Sequence, residues 1–217
     1  NPKGALRVSI RGQLQEKGIL TALFPGLIQE SYGTLDVDLK TNGTWQTPHN
    51  EGTVRISKTG AYLPTAGIHL KDVQLAAYLT KESIHINAFR ATSGPGHIEG
   101  TALLTLDGWH ITKYQGTITG ANFQTIHFPE LHLLSSPRLS FEGTPRKLTL
   151  QGELRLPELN IIEGQSPDVL APSSDVIREG RDGPVAKDSP LALDVQLRVL
   201  LGEKVFVKVS GIDARLG

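Results

Sequence analysis

Apolar and polar residues alternate along this chain almost from end to end, and a period of two restricts the fold more than any other feature of the sequence. In an extended strand that period sends every second side chain to one face. Leu6, Val8 and Ile10 alternate with Arg7, Ser9 and Arg11, and Leu35, Val37 and Leu39 alternate with Asp36, Asp38 and Lys40. The pattern returns at Val54 and Ile56, at Ile84 and Ile86, at Ile98, Ala102, Leu104 and Leu106, and at Leu139 and Phe141. Its cleanest runs are Leu148, Leu150, Gly152, Leu154 and Leu156, then Leu193, Val195, Leu197 and Val199, with Val205, Val207 and Val209 after a turn expected at Gly202-Glu203. Breaks rich in glycine, proline and asparagine separate the runs, so the spacing predicts an all-β chain of about a dozen short strands.

Two segments depart from the alternation. Glu16 to Glu30 carries Ile19, Leu20, Leu23 and Leu27 at helical spacing but is interrupted by Pro25-Gly26, which predicts at most one short helix. Glu163 to Pro190 loses the pattern to Pro, Ser, Gly, Asp and Glu, and reads as a long polar loop within one architecture spanning 1–217, since strong strands flank it. The opening Asn1-Pro2-Lys3 and the absence of methionine read as a segment of a larger protein.

Composition narrows the function. Lys and Arg number 22 and so do Asp and Glu, which removes the basic footprint of a nucleic-acid binder. There are no cysteines for disulfides or thiolate metal sites. No stretch approaches the roughly 18–20 apolar residues of a spanning helix. None of the seven histidines has the spacing of a metal pair, Gly94, Gly96 and Gly100 fit a hairpin turn better than a phosphate loop, and no G-x-S-x-G elbow is present. The expectation is a protein without cofactor or metal that is not an enzyme.

The apolar face then becomes the question. Burying one Val, Leu or Ile contributes about 1.5–3 kcal/mol, so exposing even ten would forfeit about 15–30 kcal/mol, more than the roughly 5–15 kcal/mol that holds a domain together. Something must cover that face, either a second sheet of the same chain or an apolar ligand. With aromatics at 6% of the chain, the lining is aliphatic and the girdles of an outer-membrane barrel are missing, which leaves such a barrel as the second reading of the fold. Such a lining suits acyl chains and an ordinary sandwich core alike.

An ordered series of short motifs is more specific. Gly52-Thr53-Val54-Arg55-Ile56, Leu63-Pro64-Thr65-Ala66-Gly67-Ile68, Ser93-Gly94-Pro95-Gly96-His97-Ile98-Glu99-Gly100, Phe128-Pro129-Glu130-Leu131 and Ser136-Pro137-Arg138-Leu139 follow one another. Leu150-Gln151-Gly152-Glu153-Leu154-Arg155-Leu156-Pro157, Leu193-Asp194-Val195, Leu201-Gly202-Glu203-Lys204-Val205 and Gly211-Ile212-Asp213-Ala214-Arg215-Leu216 continue the order. In this succession the chain resembles the late periplasmic segment of the TamB family. The resemblance implies an elongated folded-over sheet, or β-taco, with an apolar interior groove. It further implies an envelope protein of a diderm bacterium, anchored in the inner membrane, whose periplasmic groove carries phospholipid by its acyl chains toward the outer membrane. A TamA-like outer-membrane barrel is the implied partner, with contact residues outside this chain, and outer-membrane protein assembly is a linked role. The alternative is a non-lipid scaffold for barrel assembly. No catalytic residue carries over. The groove-lining expectation falls on Val54, Ile56, Ile84, Ile86, Ile98, Leu104, Leu106, Leu139, Phe141, Leu148, Leu150, Leu154, Leu156, Leu193, Val195, Leu197, Val199, Val205, Val207 and Val209.

Overall fold

A computed structural model describes residues 4–162, 192–209 and 212–216. The expected polar loop 163–190 lies outside the described residues. Twelve strands form one sheet. The strands β1 (Ala5–Glu16), β2 (Gln29–Thr44), β3 (Pro48–Leu63), β4 (Ile68–Leu79), β5 (Ser83–Ser93), β6 (Gly96–Asp107) and β7 (His110–Ala121) form an antiparallel meander. The short β8 (Phe123–His127) pairs with β9 (Leu131–Thr144), and β9 also pairs with β7 and with β10 (Lys147–Ile162). β11 (Ala192–Val209) then runs parallel to β10, and β12 (Ile212–Leu216) closes the order. The parallel pair explains why a long connection is needed here: β11 starts at the end of the sheet where β10 started, and only a crossover can bring the chain back. The single helix, α1 (Ile19–Leu23), is five residues long and ends ahead of Pro25-Gly26, as the interrupted helical pattern requires.

The strand number agrees with the alternation, but most strands are longer than expected, 11 to 18 residues apart from β8 and β12. Glycine and asparagine do not everywhere mark a break: Gly33, Asn50 and Gly52 sit inside β2 and β3. The expected turn at Gly202-Glu203 is not a turn: β11 passes through both residues as an irregularity in its pairing with β10. Gly202 is buried there against Pro157, whose missing N–H falls between the ladder positions Arg155 and Glu158 of β10.

Irregularities of this kind bend the sheet. β3, β4 and β5 each shift register in mid-strand, after Ile56, between Lys71 and Gln74, and after Ile86. Lys58 and Asp72 take positive φ at the first two of these places. An extra residue kinks its strand and sharpens the local twist, so three neighbouring kinks fold the sheet over. Two long-range contacts fix the fold-over. His127 donates its backbone N–H to Ala66 O at 2.8 Å, tying β8 to the β3–β4 hairpin past the β5–β6 hairpin. On the opposite rim Trp109 donates its indole N–H to Trp45 O at 3.1 Å, joining the β6–β7 and β2–β3 hairpins across β4–β5. The sheet does not close into a barrel.

Among the described residues no second layer packs beneath this sheet to make a conventional core. Among the described residues the buried apolar side chains are Ala61, Ile68, Ala77, Ala91, Phe123, Leu134 and Val205, and several gather where β8 crosses toward the β3–β4 hairpin. The long aliphatic side chains of the central strands are half-buried instead.

Candidate functional site

The strand register assembles the alternating residues into continuous rows across the sheet, because paired residues on neighbouring strands point to the same face. The central row passes through Gly12, Val37, Val54, Ala77, Ile86, Ala102, Gly116, Phe141, Leu150 and Val195. A second row on the same face holds Leu14, Leu35, Ile56, Leu75, Phe89, Gly100, Ile118, Leu139, Gly152 and Leu197. The third holds Ile10, Leu39, Gly52, Leu79, Ile84, Leu104, Tyr114, Gly143, Leu148 and Leu193. Each row crosses ten strands without meeting a charge. At the usual ~4.8 Å between strands the band is about 43 Å long.

The opposite face is mainly polar over the same strands, with Ala76, Leu103 and Leu200 among its few apolar members. Cross-strand partners there form ion pairs at Arg11–Asp38 (2.8 Å), Arg90–Glu99 (3.7 Å) and Arg138–Glu153 (4.0 Å). Thr101, Thr105, Thr117 and Thr119 on that face are exposed, whereas Leu104 and Ile118 on the apolar face of the same strands are only partly so. A single-layer sheet shelters one face in this way when it folds toward that face, so the apolar rows line the inside of the fold-over. Shelter fails at both ends of the rows: Ile10 on β1 is 53% exposed, and Leu193 on β11 is 61% exposed. The lining is an open trough running from one edge of the sheet to the other, across the strands.

Two rings lie on its floor. A side-chain carbon at Gly116 would meet the ring of Phe141, and one at Gly143 would meet the ring of Tyr114, so each aromatic occupies the space its glycine partner leaves. The two rings stand 6.5 Å apart, and the Tyr114 hydroxyl donates to Lys147 O at 3.3 Å.

Most of the residues expected to line a groove lie on this apolar face. Val54, Ile86, Phe141, Leu150 and Val195 share the central row, Ile56, Leu139 and Leu197 the second, and Ile84, Leu104, Leu148 and Leu193 the third. Ile98 stands between Ala91 and Gly120, Leu154 between Pro137 and Val199, and Leu156 beside Leu201, continuing the face toward the β8 side. Leu106 pairs with Ile111 at the tryptophan rim. Val205 and Val207 pair with Leu159 and Ile161 beyond the Pro157 irregularity. Val205 is 1% exposed, so it belongs to the packed end and not to an open lining. Val209 pairs with Ile212, and its side chain lies outside the described residues.

Periodicity missed Leu75, Phe89, Ala91, Leu159 and Ile161, all on the apolar face. Each lies beyond a kink, where the apolar positions change from even to odd numbers or the reverse. Pro157 was the one visible signal of such a change. Among the described residues no group of three or more His, Asp or Glu side chains could hold a metal ion.

A family model described as the TamB C-terminal domain matches residues 86–217, more than half of the chain. The chain belongs to the TamB family. The matched span begins in β5 and takes in every later strand, and with it the half of the trough that includes the Tyr114–Phe141 floor and the β10–β11 pair. Membership makes this an envelope protein. No helix among the described residues is long and apolar enough to cross a membrane. No solved structure matches the chain.

Proposed function

We propose that this TamB-family segment conducts phospholipid through the envelope, with acyl chains lying in the trough and no chemistry performed on them. The observation that carries this reading is the set of three uncharged rows crossing ten strands from one open edge to the other. A sandwich core ends in packed side chains. This lining ends at exposed Ile10 and Leu193, and its central residues stay half-buried with no second layer over them among the described residues. Leaving a band of that size against water is costly at about 25 cal/mol per Å², and acyl chains would offset the cost without needing directional bonds. Groove residues in this reading are Val54, Ile86, Phe141, Leu150 and Val195 with their row neighbours. The periplasm is the compartment, and an inner-membrane anchor and a TamA-like partner belong to other parts of the assembly.

The test is purification of the chain without detergent, organic extraction, and mass spectrometry of bound lipid against an unrelated β-sandwich. Phospholipid in stoichiometric amount supports conduction; a stable lipid-free monomer removes it.

One observation favours a second reading. The outer edge of β1 and that of β11 from Ala192 to Leu201 have no strand partner among the described residues. Such edges accept added strands, which suits a scaffold for assembling outer-membrane barrels. Crosslinks in strand register from β1 to a nascent barrel protein, without bound lipid, would establish it.

A further inference from the structure

The chain contains two tryptophans, and the fold brings them together on one rim of the trough. Trp45 lies in the β2–β3 hairpin and Trp109 in the β6–β7 hairpin, with ring centroids 6.3 Å apart. Both are open to solvent, at 60% and 50%. Exposed indoles on hairpin tips cost hydration free energy and add nothing to a core, yet here one is held in place by the other's carbonyl. Their position follows from the lining. β6 leaves the trough through Leu104 and Leu106, Leu106 pairs with Ile111, and Ile111, 40% exposed, stands two residues from Trp109. The apolar face therefore runs unbroken to the rim and finishes in aromatic rings. Trp45 keeps its own indole N–H free of any partner among the described residues. The shorter β4–β5 hairpin between the two tips presents the exposed ammonium of Lys81.

A ring with one apolar body and one free donor fits the boundary between acyl chains and headgroup, where indoles gather at membrane interfaces. The three rows offer no charge to a phosphate, so a lipid whose chains lie in them must place its polar end at a rim. The opposite rim is sealed by β8 against the β3–β4 hairpin.

We propose that Trp45, Trp109 and Lys81 form a subsite for the ester and phosphate region of a phospholipid held in the trough. The rings cover the glycerol-ester junction, the Trp45 N–H donates to an ester or phosphate oxygen, and Lys81 neutralises the phosphate. This rests on the conduction reading and adds the orientation in which lipid travels, headgroups along the tryptophan rim.

Two tryptophans make the test direct, because all indole emission comes from this rim. The 217-residue chain is loaded with phospholipids brominated either close to the ester or at the chain terminus, freed of vesicles, and its bound lipid is counted by mass spectrometry on the same sample. Ester-proximal bromines should quench strongly and terminal bromines weakly, and Trp109→Ala should weaken lipid binding by roughly tenfold, the scale of an aromatic anchor. If lipid is bound but emission is indifferent to bromine position, or is quenched most from the chain terminus, the subsite is overturned and conduction stands. Quenching that needs intact vesicles would make the rim a membrane-surface anchor and overturn the subsite as well. If no lipid is bound at all, both readings fall.

Discussion

Phe141 lies across Gly116, its partner on β7, so closely that a side-chain carbon at Gly116 would stand 2.5 Å from the ring Cζ. Glycine in a strand interior weakens it, and an aromatic ring on the next strand restores the lost packing. Gly116→Val would press on the ring and, closer still, on the Thr101 carbonyl oxygen, and cost about 1–3 kcal/mol in overpacking. Thermal unfolding should shift down by about 2–4 °C per kcal/mol for a chain of this size. Phe141→Leu introduced beside it should recover part of the loss, and a Gly116→Val protein that melts with the parent would show that the ring is not seated there.

The seal at the β8 rim depends on Gly67. This residue has φ of 66°, and a side-chain carbon would be 2.9 Å from Phe128 Cε1 and closer still to the His127 carbonyl oxygen. Gly67→Ala adds a left-handed backbone cost of about 1–2 kcal/mol to that collision. Backbone amides of β8 should exchange with deuterium faster in the variant while those of β2 and β3 keep their rates. Uniform acceleration across the sheet would mean that the contact is not local.

The ion pairs of the outer face should contribute little. Arg90 and Glu99 are both about half exposed in their side chains, and pairs of this kind are typically worth about 0.2–1 kcal/mol. Glu99→Gln is expected to change the urea midpoint only marginally, and still less at high salt. A large loss would assign the outer face a structural role that its exposure denies.

How far the sequence carries can be judged from β3. Its alternation at Val54 and Ile56 is legible because both belong to one unbroken run, and the same holds for Leu148 to Leu156 on β10. Past Lys58 the apolar positions are Ala61 and Leu63, odd instead of even, and the reading loses the face. Nothing in a lysine announces a positive φ of 53°. On β5 the same change hides Phe89 and Ala91 behind Ile86. The parallel partnership of β10 with β11 is equally silent, since alternation gives a strand its face but not its neighbour. The family resemblance supplied the fold-over, whereas the tryptophan rim and the β8 seal come only from contacts between hairpins distant in sequence.

The kinks themselves can be tested by deletion. Removing Lys58 takes out the extra residue of β3 and puts Thr59, Ala61 and Leu63 in unbroken alternation with Val54 and Ile56, so they keep the apolar face while the kink is lost. The pairing of Thr59 with Val73 survives without its irregularity, and what is lost is the sharpened twist at the buried Thr59 and Ala61. Deletion of Lys58 should yield a protein that folds with its register intact but melts below the parent, because the buried packing of Thr59 and Ala61 depends on the kink. Lys58→Gly, which keeps the length and relieves the backbone, should melt at or slightly above the parent. Equal behaviour of the two variants would show that the kink does not set the fold.

Charge inside the trough is the sharpest test of what the trough is for. Val195 is 47% exposed on β11 and pairs with Leu150 in the central row. An aspartate there keeps much of its hydration in the empty protein, so Val195→Asp should fold with a loss of about 1 kcal/mol or less. With acyl chains in place the same carboxylate loses water, and a penalty of about 2 kcal/mol or more corresponds to roughly thirtyfold weaker lipid binding. Gln196→Asp, one residue along on the outer face, changes charge equally and should leave bound lipid unchanged. The comparison is read as lipid per protein by mass spectrometry, with circular dichroism to confirm that both variants are folded. If Val195→Asp folds and retains its lipid, acyl chains do not pass along the central row, and the apolar band has some purpose other than conduction.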